Sequence, residues 1–432
     1  MGAFLTESLP WKPPIAAAFE CSGKEQCFVL LHSGQQKKNT GRYSYLALYP
    51  QETIQGDTLP LSGKLGSDAA AFDNAWFGYL GYEFLHTIEN IPQETRSYIT
   101  LPDVWLTRFG LILIFDNQAK TITSYRAPHI ALPRLSSSAV IPAYSPSPLA
   151  SLTSPMSKAE YMDIIAQTKE AIARGDFYQA NITRKFVGTF QETPDAFAIF
   201  CALSKASPGA YSAFIRMQDT AIISSSPECF LKMDATGRME SRPIKGTSAR
   251  FSNKTQDDAS RHYLETSAKE RAENLMIVDL MRNDFSRSCE PGSVTVERLF
   301  EVSTYTTLHH MESTIIGQKR TDISTLAAVR NCFPPGSMTG APKIRAMEWC
   351  NAHEKIRRGV YSGALGWFGG DGSCDLSVVI RTLIIAGKRF EFQVGGAITA
   401  DSEPENEWQE TLVKAKGMME ALAIERKALK NI

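Results

Sequence analysis

The stretch Arg271-Ala272-Glu273-Asn274-Leu275-Met276-Ile277-Val278-Asp279-Leu280-Met281-Arg282-Asn283-Asp284 decides how the rest of the chain is read. It belongs to a helical run that begins a little before it and contains Glu270 and Glu273. Spacing of i, i+3 sets those two carboxylates on one helix face. A second pair, Glu407 and Glu410, lies near the start of a C-terminal helix introduced by Ser402 and Pro404. Lys414 falls on the same face, one helical turn beyond Glu410. Two such helices facing each other could hold one hard divalent cation through oxygen ligands, with water and substrate oxygens completing the shell. A single Glu-x-x-Glu taken alone is more commonly a solvated acidic face.

Three further segments carry chemistry. Arg242-Pro243-Ile244-Lys245-Gly246-Thr247 places a lysine between a strand-like run and a glycine. Pro243 fixes the backbone there, and Gly246 permits close approach. Such a lysine is a nucleophile if burial or a nearby cation leaves it neutral, and otherwise an exposed turn residue. Gly336-Ser337-Met338-Thr339-Gly340-Ala341-Pro342-Lys343 leads into a helix with Pro342 as its expected first residue. Backbone N–H groups at that start can receive an anion, although the Gly-Lys-Ser/Thr ending of a phosphate loop is missing. Gly395-Gly396 interrupts a strand, which marks close approach by a ligand or by another backbone. No Gly-x-Ser-x-Gly elbow or glutaminase cysteine appears, and the pair His309-His310 reads by itself as structural.

Composition narrows the classes. The chain has 432 residues, 43% hydrophobic and 21% charged, an ordinary globular balance with ample core. That length suggests two or three domains of roughly 150 residues, or one intertwined unit. The 46 basic residues balance 46 acidic ones, so nothing draws the chain as a whole to nucleic acid or to an anionic membrane. Eight cysteines without a Cys-x-x-Cys pair read as free thiols of a reducing cytoplasm. The N-terminus lacks the pattern of a secretory leader, and apolar runs such as Leu111 to Phe115 are far too short to span a bilayer. The expectation is a cytoplasmic protein with neither nucleic acid nor membrane as partner.

Texture divides the chain. Residues 1–125 alternate strand-like runs such as Cys27–Leu31, Trp76–Leu80 and Leu111–Phe115 with turn signals. Residues 126–155, rich in Pro, Ser and Ala, read as a linker. The region 156–426 opens with a helix whose Ser157 and Glu160 form a capping box and which Gly175 stops.

Taken together, the 271–284 string, the loop from Gly336 to Lys343, Ile380-Arg381-Thr382 and Glu407 through Thr411 resemble the chorismate-utilising enzymes. The resemblance is strong over about residues 156–425 and weak before them. It implies an α+β fold of two large antiparallel sheets packed face to face with helices on the outside, the N-terminal region woven into the same body. It also implies Mg2+ on Glu273 and Glu410, with Glu270 and Glu407 beside it. Glu228, in Ser226-Pro227-Glu228, matches the family's general acid. Tyr361, Arg381 and the backbone of Gly395 and Gly396 match positions that hold the enolpyruvyl carboxylate. Thr339, His310 and Lys414 match other pocket positions. Cys229 departs from the arginine that relatives often carry after Pro-Glu.

Two positions separate the reactions within the family. Gln179 stands where isochorismate and salicylate synthases use a lysine to activate water. Lys245 stands where anthranilate synthases carry alanine, and it resembles the nucleophilic lysine of the branch that aminates chorismate on the way to 4-aminobenzoate and folate. Leu30-Leu31-His32-Ser33 differs from the Leu-Leu-Glu-Ser of tryptophan-regulated relatives, so a tryptophan site in the N-terminal region stays open. The resemblance implies chorismate as substrate and a separate glutamine amidotransferase subunit, the two forming a heterodimer. The rivals are an anthranilate-forming enzyme and a non-catalytic regulatory subunit that binds chorismate or tryptophan.

Overall fold

Val104–Asp116 is apolar on both faces and almost wholly buried, the pattern of a central strand. A computed structural model describes residues 4–22, 25–35, 41–59, 70–94, 96–135, 141, 144–305 and 308–425. In chain order its strands are β1 Leu5–Leu9, β2 Cys27–His32, β3 Tyr43–Gly56, β4 Trp76–Leu80, β5 Val104–Asp116, β6 Thr121–Arg126, β7 Leu149–Thr153, β8 Gln179–Phe190, β9 Tyr211–Met217, β10 Thr220–Ser226, β11 Cys229–Met233, β12 Arg238–Arg242, β13 Ile244–Ala249, β14 Thr295–Thr304, β15 Leu308–Gln318, β16 Gly340–Ala341, β17 Ala364–Phe368, β18 Cys374–Val378, β19 Thr382–Ala386 and β20 Arg389–Ile398. The α-helices are α1 Pro14–Ser22, α2 Lys158–Arg174, α3 Ala196–Ala206, α4 Lys254–Thr266, α5 Ala268–Ser286, α6 Thr325–Cys332, α7 Lys343–Glu354 and α8 Pro404–Ala421.

The strands form two antiparallel sheets joined at β5. One edge of β5 pairs with β3 along its length. Its other edge pairs with β4 through residues 104–108 and with β6 through 111–116. From β3 one sheet runs through β2, β9, β10, β19, β20 and β8. From β4 the other runs through β17, β18, β11, β12 and β15. Val29, Ile112, Ile215 and Ile222 of the first sheet meet Phe77, Tyr79 and Leu365 of the second in a shared core. Helices α2, α3 and α8 cover the outer face of the first sheet with Tyr161, Phe197, Trp408 and Met418. Helices α5, α6 and α7 cover the outer face of the second with Ile277, Met281, Val329 and Met347. The expected four-layer α+β architecture is observed.

β2 pairs with β9 and β4 pairs with β17, so residues before 125 complete both sheets. The stretch 126–155 read as a linker is partly built into the body, although residues 136–140 and 142–143 lie outside the described ones. Its β7 pairs with β8, and Ile130, Leu132, Tyr144 and Leu152 pack against the outer core. An edge strand tolerates the neighbouring prolines, and the spaced leucines supply an inward face that composition alone concealed. Ser157 and Glu160 form the expected capping box of α2, and Gly175 ends it in the left-handed region at φ 85. All eight cysteines are free thiols. No helix among the described residues is long and apolar enough to cross a membrane.

Candidate active site

Ser267 caps α5, its Oγ accepting the Glu270 N–H at 3.3 Å. Glu270 and Glu273 therefore fall in the opening turns, where the positive helix end favours carboxylates. Helix α8 begins with Pro404 and carries Glu407 in its first turn. Glu403 is its N-cap, and Ser402, expected to introduce the helix, instead bonds the Glu407 side chain.

Two glycines let these helices approach the strands. A Cβ on Gly396 would stand 2.9 Å from Glu407 Oε2 and 3.5 Å from Glu410 Oε1. A Cβ on Gly246 would stand 2.9 Å from Glu270 Oε2, and its φ of 84 also excludes most side chains. Gly395 has a different reason: its Cβ would strike Ile182 O on β8 at 2.3 Å. Asn274 locks the arrangement. Its Oδ1 accepts from Ser313 Oγ at 2.5 Å, and the Ser313 N–H donates to Pro243 O at 3.3 Å. The helix carrying Glu273 is thus tied to the strand carrying Lys245.

Lys245 is partly exposed, and its Nζ donates to Ser337 O at 3.3 Å. Burial among its neighbours pulls the ammonium pKa down against the attraction of Glu273, with Lys414 helping and Glu228 and Glu410 opposing. Glu228 is 4% exposed, and burial pushes its pKa up to about 7 against a hydrogen bond from Ser337 and the charge of Lys245. It is therefore about half protonated near neutrality, where a carboxylic acid can give up a proton. Burial also raises Glu270, Glu273 and Glu407.

Glu410 is lowered by Lys414, which reaches its Oε1 at 2.6 Å and also donates to Gly395 O at 2.8 Å. Lys269 stands 4.0 Å from Glu273. Four carboxylates thus share a cluster with Lys245, Lys269 and Lys414, and Glu407 Oε2 is buried without a hydrogen-bond partner among the described residues. No group of three His, Cys, Asp or Glu among the described residues is drawn together tightly enough to cage an ion.

Most of the remaining expected residues are buried. Thr339 is fully buried, and its carbonyl accepts the Asn181 N–H at 2.8 Å. Gln179 is also fully buried, yet neither side-chain amide atom finds a partner among the described residues. Tyr361 is 6% exposed. Arg381 adopts a left-handed φ of 51, and its guanidinium feels Tyr305 and Glu228. That strained backbone is an observed outlier of the sort that functional sites retain. His310 Nδ1 lies 2.9 Å from Thr247 Oγ1, and its ring meets Tyr305 edge-on at 5.0 Å.

The loop before α7 differs from expectation. Pro342 is the N-cap rather than the first helical residue, and Lys343 turns back to Asp284, Cys332 O and Pro334 O. Sequence reading missed Ser337, Lys269, Asn274 and the buried Arg358. The only available hint of Arg358 was Glu354 four residues ahead of it. A separate cavity of about 290 Å³ lies between the sheets, lined in part by His32, Arg42, Tyr45, Tyr211, Arg242 and Asp375.

The family described as chorismate binding enzyme matches residues 22–420. The chain belongs to the chorismate binding enzyme family. It is a chorismate-utilising enzyme. An aminodeoxychorismate synthase component 1 from Klebsiella aerogenes is 33% identical over 445 residues, covering 96% of this chain and 98% of that one. An aminodeoxychorismate synthase from Streptomyces griseus is 46% identical over 262 residues, 61% of this chain, which spans only 36% of that longer protein. Among solved members, anthranilate synthase component I from Streptococcus pneumoniae TIGR4 superposes with a TM-score of 0.76 at 26% identity, covering 89% of this chain and 93% of the other. In this chorismate binding enzyme Lys245, Glu228 and the two Glu pairs of α5 and α8 form one linked set of charges, each within electrostatic reach of another member.

Proposed function

We propose that the chain is the synthase component of an aminodeoxychorismate synthase, adding ammonia to chorismate to give 4-amino-4-deoxychorismate for 4-aminobenzoate and folate synthesis. The observation that carries this reading is Lys245, set in electrostatic reach of both Glu228 and Glu273 with its pKa lowered. Glu228 gives its proton to the departing C4 hydroxyl. Neutral Lys245 bonds to C2 as the double bond shifts and that hydroxyl leaves as water. Ammonia then bonds to C4, the double bond returns, and the Lys245 C–N bond breaks. Two allylic displacements replace one difficult substitution.

Mg2+ fits the carboxylates. An all-oxygen donor set with an unpartnered Glu407 Oε2 suits a hard cation that keeps several waters and takes one or two carboxylates. Glu273 and Glu410 would hold it, with Glu270 and Glu407 behind them. When bound it supplies positive charge for the ring carboxylate of chorismate. Tyr361, Arg381 and the backbone of Gly395 and Gly396 receive the enolpyruvyl carboxylate, with Thr339, Gln179, His310 and Lys414 around the ring. Arg381 suits bidentate binding, since its guanidinium makes no side-chain hydrogen bond among the described residues.

Relatives named component 1 support a companion subunit, which we take to be a glutamine amidotransferase forming a heterodimer with this chain in the cytoplasm. The inter-sheet cavity is where tryptophan would sit, although His32, held neutral by burial with a pKa of about 4, supplies no negative charge for an amino group.

The test is product analysis with chorismate, Mg2+ and ammonium salts, with and without an added lyase. 4-Aminobenzoate appearing only with the lyase is expected. Fluorescent anthranilate without it would favour the second reading, an anthranilate synthase, which the Streptococcus pneumoniae structure keeps in view. Chorismate binding without turnover would point to a regulatory subunit.

A further inference from the structure

Arg358 follows α7, and only 2% of its surface is exposed. Its guanidinium spans several segments that are distant in sequence. Nη1 donates to Met338 O at 2.8 Å and to Ser362 Oγ at 3.3 Å. Nη2 donates to Asn181 O at 2.8 Å. Nε and Nη2 also hold the two oxygens of Glu354 at 2.8 and 2.6 Å. Glu354 Oε1 in turn accepts the Thr183 N–H at 2.9 Å. From the other side, Glu83 accepts the backbone N–H groups of Arg358 and Gly359 at 2.7 and 2.9 Å.

Each anchor is one or two residues from a group assigned above to substrate. Met338 precedes Thr339, Ser362 follows Tyr361, and Asn181 lies two beyond Gln179. Thr183 is in register with Gly395. The anchored backbones are also irregular. Ser362 has a left-handed φ of 67, and Gly340 has φ 148 with Gln179 O against the position of a Cβ. Such conformations persist only where surrounding bonds over-determine them. A buried ion pair is weak support for stability on its own, because an apolar pair of the same volume often does as well. What an apolar pair cannot do is bond to three backbone or hydroxyl oxygens on three separate segments.

We propose that Arg358, seated on Glu354, is a positioning residue that fixes Thr339, Tyr361, Gln179 and Gly395 relative to one another, so that the recess for the substrate is formed before chorismate arrives. The substrate roles of those four residues rest on the function proposed above. The Arg358 network itself does not.

The test compares the full chain with Arg358→Lys, which keeps a cation beside Glu354 but cannot span the same acceptors. Two readouts are taken: steady-state kinetics with chorismate, Mg2+ and ammonium salts, and amide hydrogen exchange without substrate. The expected result is a fall in kcat/KM of about ten- to a hundred-fold, mostly through KM, the size of effect that misplacing binding groups by up to about 1 Å produces. Exchange should quicken in 336–341 and 359–363 and stay unchanged in α5 and α8. Unchanged exchange in those two loops, or a rise spread evenly over the chain, overturns the proposal. If Arg358→Lys does not fold, Glu354→Gln keeps an acceptor for Thr183 while loosening Arg358. It should give the same pattern at smaller size, and wild-type behaviour there also overturns the proposal. A wild-type chain that fails to convert chorismate would sink the functional reading instead, and the exchange pattern would still judge Arg358.

Discussion

Lys245 Nζ donates to the carbonyl of Ser337, and the side chain of that same Ser337 bonds to Glu228. One residue of the loop before α7 therefore fixes both the proposed nucleophile and the proposed acid. The pairing sets the lysine amine at a defined place, with a single hydrogen bond to give up among the described residues.

Lys245→Ala is expected to lower aminodeoxychorismate formation by about a hundred-fold, since the covalent route closes while substrate binding remains. Chromatography of the products with ammonium as nitrogen source checks it. Formation at the wild-type rate would show that this amine does not bond to the ring.

Glu228→Gln is expected to cut kcat/KM by about 10²–10⁴-fold, the usual contribution of a positioned acid. It should also change the pH dependence of stability. The folded-state pKa of Glu228 is about 7 against the ordinary 4.5, so the folded chain binds the extra proton between those values. That contribution is present below about 4.5 and is lost as pH rises through about 7, at most about 3 kcal/mol. Urea melts of both proteins at pH 5 and pH 8 should show a smaller loss at pH 8 in the variant.

Gly396→Ala is expected to fold, because φ at Gly396 is not positive, but its methyl group would press on Glu407. Mg2+ affinity should weaken by about ten-fold or more, as when a supporting group beside a metal ligand is disturbed. Calorimetric titration with Mg2+ reads this without relying on turnover.

Trp408→Ala tests how far the core positions α8. Trp408 is 3% exposed, stacks beneath Arg184 at 3.7 Å and meets Tyr161 at 5.9 Å. A loss of about 3–5 kcal/mol is expected from a cavity of that size. Denaturant unfolding measures it, and a loss below about 1 kcal/mol would mean the site relaxes to fill the gap.

The helices were legible because their signals are local. Ser157 with Glu160 announced α2, and the i, i+3 acidic pairs announced the inner faces of α5 and α8. The apolar run at 111–115 likewise marked part of β5. The stretch before residue 156 misled, since prolines mask an edge strand as readily as they build a linker. Arg358 was hidden for a deeper reason. Its partners come from five parts of the chain, and no spacing rule links Asn181, Met338 and Ser362. The two glycines of β20 could be flagged from sequence, but only the structure assigns one to a neighbouring strand and the other to a carboxylate.

The joining of both sheets through β5 has a cost during synthesis. Trp76 of β4 must wait for Phe368 of β17, and Phe28 of β2 must wait for Arg216 of β9. At ribosomal speeds the first wait lasts roughly 15–60 s, with apolar strand edges bare throughout. A nascent chain of this kind is exposed to aggregation until its last third has emerged, so its yield of folded protein should rise with chaperone capacity.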